Sequence, residues 1–351
     1  MRVSDFDFEL PPELIAQEAA PRGTSRLLVL DRGSGATRHA RIGDLPGLLA
    51  PGDLLVVNDT RVFPARLLGR RAPSGGAVEC MLVERIGGTG SSEEWDALMH
   101  PGQKLKPGAR LVFQGPAGTL HGEVLERRFF GRRRIRLWAV DGPEVGALID
   151  ALGHVPLPPY IHRPDRADDR ERYQTIYARR RGSVAAPTAG LHFTGDILRA
   201  LDARGVGRVS ITLHVGYGTF QPVRAADVEQ HVVEAERYEI EDAAAAQINR
   251  ALDDGRRIVA VGTTTTRALE SAAIAGSGRL GPGRGEASLF IYPGYTFRVV
   301  QALLTNFHLP KSSLLMLVSA FAGREPVLAA YREAVAERYR FYSYGDAMLV
   351  I

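Results

Sequence analysis

Five polar junctions rich in small residues hold the side chains with which this chain could do chemistry. The first is Ala185-Ala186-Pro187-Thr188-Ala189-Gly190-Leu191-His192-Phe193-Thr194. Its small side chains would let backbone amides approach a ligand closely, and it delivers an imidazole, His192, beside two threonine hydroxyls. A lone histidine at a helix start is more often a cap or a core residue, so both uses stay open. The second, Thr212-Leu213-His214-Val215-Gly216-Tyr217-Gly218-Thr219-Phe220, puts His214 at a strand end before a Gly-x-Gly. It lacks the third glycine and the helix of a dinucleotide fingerprint, and a plain bulged turn remains an alternative. The third, Val261-Gly262-Thr263-Thr264-Thr265-Thr266-Arg267, offers hydroxyls and free amides at a helix N-terminus to a carboxylate or a ribose. The fourth, Leu304-Thr305-Asn306-Phe307-His308-Leu309-Pro310-Lys311-Ser312-Ser313, presents an amide, an imidazole and an ammonium on one short turn. The fifth, Tyr339-Arg340-Phe341-Tyr342-Ser343-Tyr344-Gly345-Asp346-Ala347-Met348, could stack a base or face a cation, although aromatic residues more commonly fill cores.

Several familiar chemistries are missing. There is no His-Glu-x-x-His, no Gly-x-Ser-x-Gly elbow and no Gly-Lys-Ser/Thr phosphate loop. The single cysteine, Cys80, rules out an intrachain disulfide and suits a reducing cytoplasm. What remains is a site of His, Thr, Asn and Arg, with no metal and no cofactor expected. The N-terminus lacks the basic start and apolar core of a signal peptide, and the apolar stretch 314–321 is too short to cross a bilayer.

Elements able to position these junctions are legible in outline. Asp53-Leu54-Leu55-Val56-Val57-Asn58, Arg257-Ile258-Val259-Ala260-Val261 and Ala302-Leu303-Leu304-Thr305 are continuous apolar runs of the kind buried on both faces of a sheet. Helices follow them, so the expected fold is an α/β main domain with helices on both faces of its sheet. Asp242 is expected to cap the helix ending at Gly255, and Thr194 the one ending at Gly205. Between residues 63 and 150 the texture changes to short alternating segments at 78–86, 95–99, 110–113, 120–126 and 134–140, separated by Gly and Pro turns. That spacing predicts a small antiparallel β-barrel inserted into a discontinuous main domain, residues 1–62 and 151–351.

The net charge of +4 is modest for 351 residues, so its distribution carries more information than its sum. Arginines bunch at Arg127, Arg128, Arg132, Arg133, Arg134 and Arg136, next to Phe129 and Phe130, and again at 179–181, while Glu93, Glu94 and Asp96 bunch elsewhere in the chain. A polyanion partner is compatible with this pattern, and so is a solvated arginine-rich face.

Taken in order, these segments resemble the S-adenosylmethionine:tRNA ribosyltransferase-isomerase family of queuosine biosynthesis. The resemblance begins at Asp5-Phe6-Asp7-Phe8-Glu9-Leu10-Pro11 and runs through Ser25-Arg26-Leu27, Asn58-Asp59-Thr60-Arg61-Val62, Gly153-His154-Val155-Pro156-Leu157-Pro158-Pro159-Tyr160-Ile161 and Tyr173-Gln174-Thr175-Ile176-Tyr177. The five junctions complete it, so it spans essentially the whole chain.

The resemblance implies an α/β domain with an inserted barrel. It also implies a reaction in which S-adenosylmethionine, a consumed co-substrate, gives its ribosyl unit to 7-aminomethyl-7-deazaguanine at the wobble position of a tRNA with a GUN-type anticodon. Epoxyqueuosine-tRNA, adenine and methionine are the products, and a cytoplasmic monomer is expected. His192 or His214 would then be the base, with Asn306, His308 or Arg267 assisting departing adenine. Thr188, Gly190, Gly216, Gly218, Thr219, Thr263, Thr264, Lys311, Tyr344 and Asp346 would contact substrate, and Arg61, Arg128, Arg132, Arg134 and Arg136 would hold RNA phosphates. One departure stands out. After His231 the family usually has a Met-His pair where this chain has Val233-Glu234. Two rivals are an S-adenosylmethionine-dependent tRNA methyltransferase, whose Gly-rich loop is not recognisable here, and a non-catalytic RNA-binding protein, which would leave the five junctions without a purpose.

Overall fold

A computed structural model of the chain describes every residue except 129, 130, 141, 217 and 219–222. In chain order the strands are β1 (Arg26–Leu30), β2 (Thr37–Arg41), β3 (Leu54–Asn58), β4 (Thr60–Val62), β5 (Arg66–Ala72), β6 (Ala77–Thr89), β7 (Ser92–His100), β8 (Arg110–Gly115) and β9 (Gly118–Arg127). They continue as β10 (Arg132–Trp138), β11 (Arg180–Ser183), β12 (Gly207–Leu213), β13 (Glu236–Ile240), β14 (Ile258–Val261), β15 (Gly283–Ala287), β16 (Ala302–Asn306) and β17 (Ala347–Val350). Nine of them form one sheet in the order β15-β13-β12-β3-β14-β16-β17-β1-β2. Its centre, β12-β3-β14-β16, is parallel, whereas β17 and β1 run opposite to β16.

The unbroken apolar runs are explained by burial on both faces. Leu54, Val56, Ile258, Ala260 and Leu303 point into one core, packed by the helices Asp242–Asp253, Thr263–Ala275, Ser313–Ala322 and Arg324–Ala336. Leu55, Val57, Val259, Val261 and Leu304 point into the other, under the helix Gly195–Ala203. Among the described residues no single helix is long and apolar enough to cross a membrane.

Helix punctuation follows the expected chemistry with one shift. Thr194 Oγ1 accepts from the Ile197 amide at 3.2 Å, as an N-cap should. Asp242 is not a cap: it is the first helical residue, and Glu241 precedes it without a side-chain cap bond. The Glu241 carboxylate pairs instead with Arg179 and Arg180, and Asp242 still places negative charge in the first turn.

Strands β5–β10 close into an antiparallel barrel in the order β10-β7-β6-β5-β8-β9. Leu67, Cys80, Leu82, Trp95, Phe113, Leu120, Ile135 and Leu137 fill its interior. The sixth strand, β5, falls outside the alternating segments seen in the sequence because Arg66, Gly69, Arg70 and Arg71 interrupt its apolar pattern. Gly69 is required by packing, since a Cβ there would lie 2.4 Å from the Phe113 ring and 2.5 Å from the Val112 carbonyl oxygen.

A buried carboxylate fixes the approach to β16. Glu270, in the middle of the helix Thr263–Ala275, is fully buried. It accepts hydrogen bonds from the amides of Arg298 (2.8 Å), Val299 and Val300 (3.0 Å each) and from the Tyr295 hydroxyl (3.0 Å). Glu270→Ala leaves three backbone donors unsatisfied in the interior, so it is expected to lower stability by about 3 kcal/mol or more in urea unfolding. A loss below about 1 kcal/mol would contradict this role.

Candidate functional site

Strand direction gathers the junctions at one edge of the sheet. The parallel strands β3, β12, β14 and β16 end there, and the opposed strands β17 and β1 begin there. Ligand sites in open α/β sheets lie beyond the carboxyl ends of parallel strands for this reason. In β14 and β16, Val261 pairs with Leu304, and the Gly262 amide donates to the Leu304 carbonyl at 2.8 Å. The Thr263 turn and the Asn306 turn are therefore neighbours. Gly262 has φ 94°, a conformation open to glycine, and it launches the helix at Thr263.

A cavity of about 560 Å³ opens at this edge. Its walls include Ala185, Ala186, Pro187, Thr188, Thr263, Thr264, Thr305, Asn306, Phe307, His308 and Lys311. Within the threonine run only Thr263 and Thr264 face it. Thr265 Oγ1 donates to the Val261 carbonyl at 2.7 Å and Thr266 Oγ1 to that of Gly262 at 3.2 Å, so both are tied back into the helix. The first amides of that helix have no intrahelical acceptor, which suits an anionic group. Lys311, at φ 59°, lines the same cavity and pairs with Asp7 at 2.7 Å.

Asn306 sits at the end of β16 with its amide committed. Its Nδ2 donates to the Tyr342 carbonyl at 3.1 Å and approaches His192 Nε2 at 3.2 Å. His192 is not on the cavity wall. It is buried behind Asn306, with Nδ1 2.9 Å from Ser25 Oγ, and burial together with the positive charges of Arg340 and Arg22 pushes its pKa down to about 4. His308 does line the cavity. Its Nε2 lies 2.8 Å from Thr305 Oγ1, and burial pushes its pKa down to about 3.

The other residues expected at a site are distributed differently. Arg267 is a brace: it pairs with Glu236 at 2.7 Å and donates to the carbonyls of Glu234, Ala287 and Leu289. With Gly216, Gly218, His231 and Glu234 it lines a second cavity, of about 280 Å³, that shares Leu314 with the first. His214 lies in a groove between barrel and sheet, with Nδ1 2.8 Å from Thr60 Oγ1, and its pKa is lowered by burial. Gly190 is packed beneath the Tyr177 hydroxyl. The Tyr344 hydroxyl donates to Asp169 at 3.0 Å, and Asp346 accepts the amides of Arg26 and Arg340, so both residues hold the C-terminal segment in place. Thr219 lies outside the described residues, as do Tyr217, Phe220, Phe129 and Phe130.

The arginine face is less open than its sequence suggests. The acidic cluster is not elsewhere in space: β7 pairs with β10 so that Asp96 lies opposite Arg134 and Glu94 opposite Arg136. Arg128 bridges Asp96 at 2.8 Å and Glu126 at 3.2 Å, Arg136 approaches Glu94 at 3.4 Å, and Arg132 meets Glu234 at 2.7 Å. Arg134 Nε is buried without a partner among the described residues, and Arg61 is exposed on β4. Glu234 thus ties the loop before β13 to the barrel.

Tyr160 and Tyr342 were not singled out in the sequence. Their rings meet at 3.9 Å between centroids on the cavity wall, from segments 182 residues apart in the chain, and only the topology brings them together. Among the described residues no group of three or more His, Cys, Asp or Glu gathers around a common centre that could hold a metal ion.

An α/β sheet with a barrel inserted beside a cavity at its strand ends describes a class of proteins with a small-molecule site next to an accessory module. Residues 3–350 match the family model described as queuosine biosynthesis protein, and the chain belongs to that family. A relative from Symbiobacterium thermophilum, 52% identical with 100% of both chains covered, is named S-adenosylmethionine:tRNA ribosyltransferase-isomerase. One of the same name from Heliobacterium modesticaldum is 50% identical, again with 100% of both covered. The crystal structure of S-adenosylmethionine tRNA ribosyltransferase from Thermotoga maritima is similar with 38% identity and a TM-score of 0.55, over 99% of this chain and 100% of that one.

The two buried histidines make stability depend on pH. Their folded pKa values, about 4 and about 3, lie below the ordinary 6.5, so the unfolded chain binds more protons between these limits. Stability is complete above pH 6.5 and is lost as pH falls toward 4, by on the order of a few kcal/mol. His192→Gln is expected to flatten the decline in unfolding free energy between pH 6.5 and 5. An unchanged slope in this variant would contradict a buried neutral His192.

Proposed function

We propose that this chain transfers and isomerises the ribosyl moiety of S-adenosylmethionine onto 7-aminomethyl-7-deazaguanine at the tRNA wobble position, giving epoxyqueuosine-tRNA, adenine and methionine. The observation that carries this reading is the end-to-end match to enzymes of that name at 50% and 52% identity. The cavity supports it. At about 560 Å³ it is in the size range of sites for cofactor-sized molecules. The Tyr160–Tyr342 pair and the apolar 185–187 wall suit a flat heterocycle, and the Thr263 helix start with Lys311 suits the methionine carboxylate. No carboxylate lines the cavity among the described residues, so nothing there offsets a sulfonium charge. Loss of a proton from the ribose 5′ carbon converts that sulfonium to a net-neutral ylide, which an apolar enclosure favours.

His308 and the exposed His162 are the imidazoles on the cavity wall, and in this reading the buried His308, kept neutral by its lowered pKa, faces the ribose and takes the C5′ proton. His192 and His214, the earlier candidates for the base, stand behind the wall and in the barrel groove. The acceptor amine enters through the adjoining cavity beside Arg267 and His231, and must arrive neutral to attack the ribosyl carbon. The inserted domain, residues 63–150, and the main domain, residues 1–62 and 151–351, would then flank the RNA along the groove lined by Trp95, Arg132, Arg181 and His214. A tRNA with a GUN-type anticodon is the partner, the setting is the cytoplasm, the protein acts as a monomer, and no cofactor beyond the consumed co-substrate takes part.

The test is adenine release from S-adenosylmethionine with tRNA carrying the aminomethyl-deazaguanine, against the same tRNA with guanine at that position. Stoichiometric adenine with the modified tRNA alone is expected, with the labelled methyl group staying on released methionine. No adenine, or methyl transferred to RNA, would overturn the reading. His308→Ala should lower kcat by about 100-fold or more while His214→Ala changes it less, and a larger loss at His214 would reverse the assignment.

A further inference from the structure

Asn306 is 3% exposed and lines the main cavity, yet its Oδ1 has no hydrogen-bond partner among the described residues. Buried carbonyl oxygens without partners are uncommon and call for an explanation. The orientation of this amide is fixed by its neighbours rather than chosen freely. The Tyr342 carbonyl, 3.1 Å away, can only accept, so the atom facing it must be the amide nitrogen. The second amide hydrogen is directed at His192 Nε2, 3.2 Å away, which a neutral imidazole leaves as an acceptor while Nδ1–H donates to Ser25 Oγ at 2.9 Å. Both donors of Asn306 are therefore committed, and Oδ1 is left as an acceptor. This reverses the sequence expectation that Asn306 donates to departing adenine.

A second group on the same wall is also unsatisfied. Tyr342 is held at φ 74°, rare for a residue with a side chain, and its buried hydroxyl has no partner among the described residues. The two residues are joined through the Asn306–Tyr342 hydrogen bond, so the wall carries an acceptor and a hydroxyl with nothing to bind. The ligand group that meets Oδ1 must be a hydrogen-bond donor, and with no carboxylate in the described lining a neutral donor is favoured at this spot. The complementary ligand is a neutral heteroaromatic amine beside a ring nitrogen, lying against the Tyr160–Tyr342 rings.

We propose that Asn306 is a specificity residue whose Oδ1 accepts a hydrogen bond from the exocyclic amino group of a purine, and that His192 is its positioning residue. This rests on the reading that the cavity takes S-adenosylmethionine. The purine's amino group identifies which end of the molecule lies at β16, and the Tyr342 hydroxyl serves an adjacent ring nitrogen. His192 touches no ligand. It accepts the second amide hydrogen and so, together with the Tyr342 carbonyl, holds the amide plane with Oδ1 turned outward.

The test compares equilibrium binding of S-adenosylmethionine with that of its analogue carrying unsubstituted purine in place of adenine, by calorimetry without RNA. Wild-type protein should bind the amino compound about 10- to 100-fold more tightly, the cost of leaving Oδ1 unpaired. The ratio should fall to within about threefold in Asn306→Ala, and partly in His192→Ala, where the Tyr342 carbonyl alone still orients the amide. Because both ligands are compared on one preparation, the ratio is insensitive to a misfolded fraction. Equal affinities in wild type, an unchanged ratio in Asn306→Ala, or no binding of either compound would overturn the contact. A parallel adenine-release assay separates the two ideas. Turnover with a ratio near one removes the contact and keeps the reaction, whereas a large ratio without turnover removes the reaction and keeps the contact.

Discussion

The parallel pairing of β14 with β16 is the constraint on which the site depends. With Val261 opposite Leu304, the chain leaves both strands at the same level, and the Thr263 and Asn306 turns face one cavity. Such pairing requires strands buried on both faces, which Ile258, Val259, Ala260, Val261, Leu303 and Leu304 supply. The opposed strands β17 and β1 then contribute from their starts, bringing Tyr342 and Ser25 to the same edge. A one-residue slip between β14 and β16 would exchange the two cores and move Asn306 away from His192.

The charged side chains at the two cavities are paired within the protein. Arg267 and Glu236 form a buried pair that also holds carbonyls of three residues and the Gly216 amide, so the loops flanking the second cavity are braced by one ionic network. Lys311 is held by Asp7, and Glu234 by Arg132 of the barrel. Losing one partner of the buried Arg267–Glu236 pair would strand a charge, whereas the exposed Arg132–Glu234 pair contributes little stability by itself. Its effect is geometric, linking the loop before β13 to β10. Glu234 therefore belongs to the seam between sheet and barrel, and it also lines the second cavity, where the acceptor amine is proposed to enter.

The centre of the α/β sheet was legible because β3, β14 and β16 are short, largely apolar and bounded by Pro51-Gly52, Gly262 and Pro310, whereas the edge strands β2, β13 and β15 carry Arg, Glu and Gly and gave no such signal. Five barrel strands were legible from alternation, and β5 was not, since its arginines and Gly69 face positions that only closure of the barrel defines. The same holds for charge. Asp96 and Arg134 are far apart in sequence, and the β7–β10 register puts them side by side. Residue types at the site were readable from the junctions, but direction was not: His192 and His308 are similar in sequence context, and only β16 with its neighbours decides that one lies behind the wall and the other on it. Tyr342 could not be chosen over Tyr344 from the aromatic segment alone, because its φ of 74° turns successive side chains in directions no strand or helix periodicity predicts.

Hydrogen–deuterium exchange on adding S-adenosylmethionine, followed by tRNA, tests most directly whether the cavity at the ends of β14 and β16 is the ligand site. The account predicts slowed exchange in residues 186–190, 262–266 and 305–311 with S-adenosylmethionine alone, and added protection along the barrel groove only when RNA is present. Protection by S-adenosylmethionine confined to the groove around Trp95, Arg132 and His214, with the β14 and β16 turns unchanged, would contradict it.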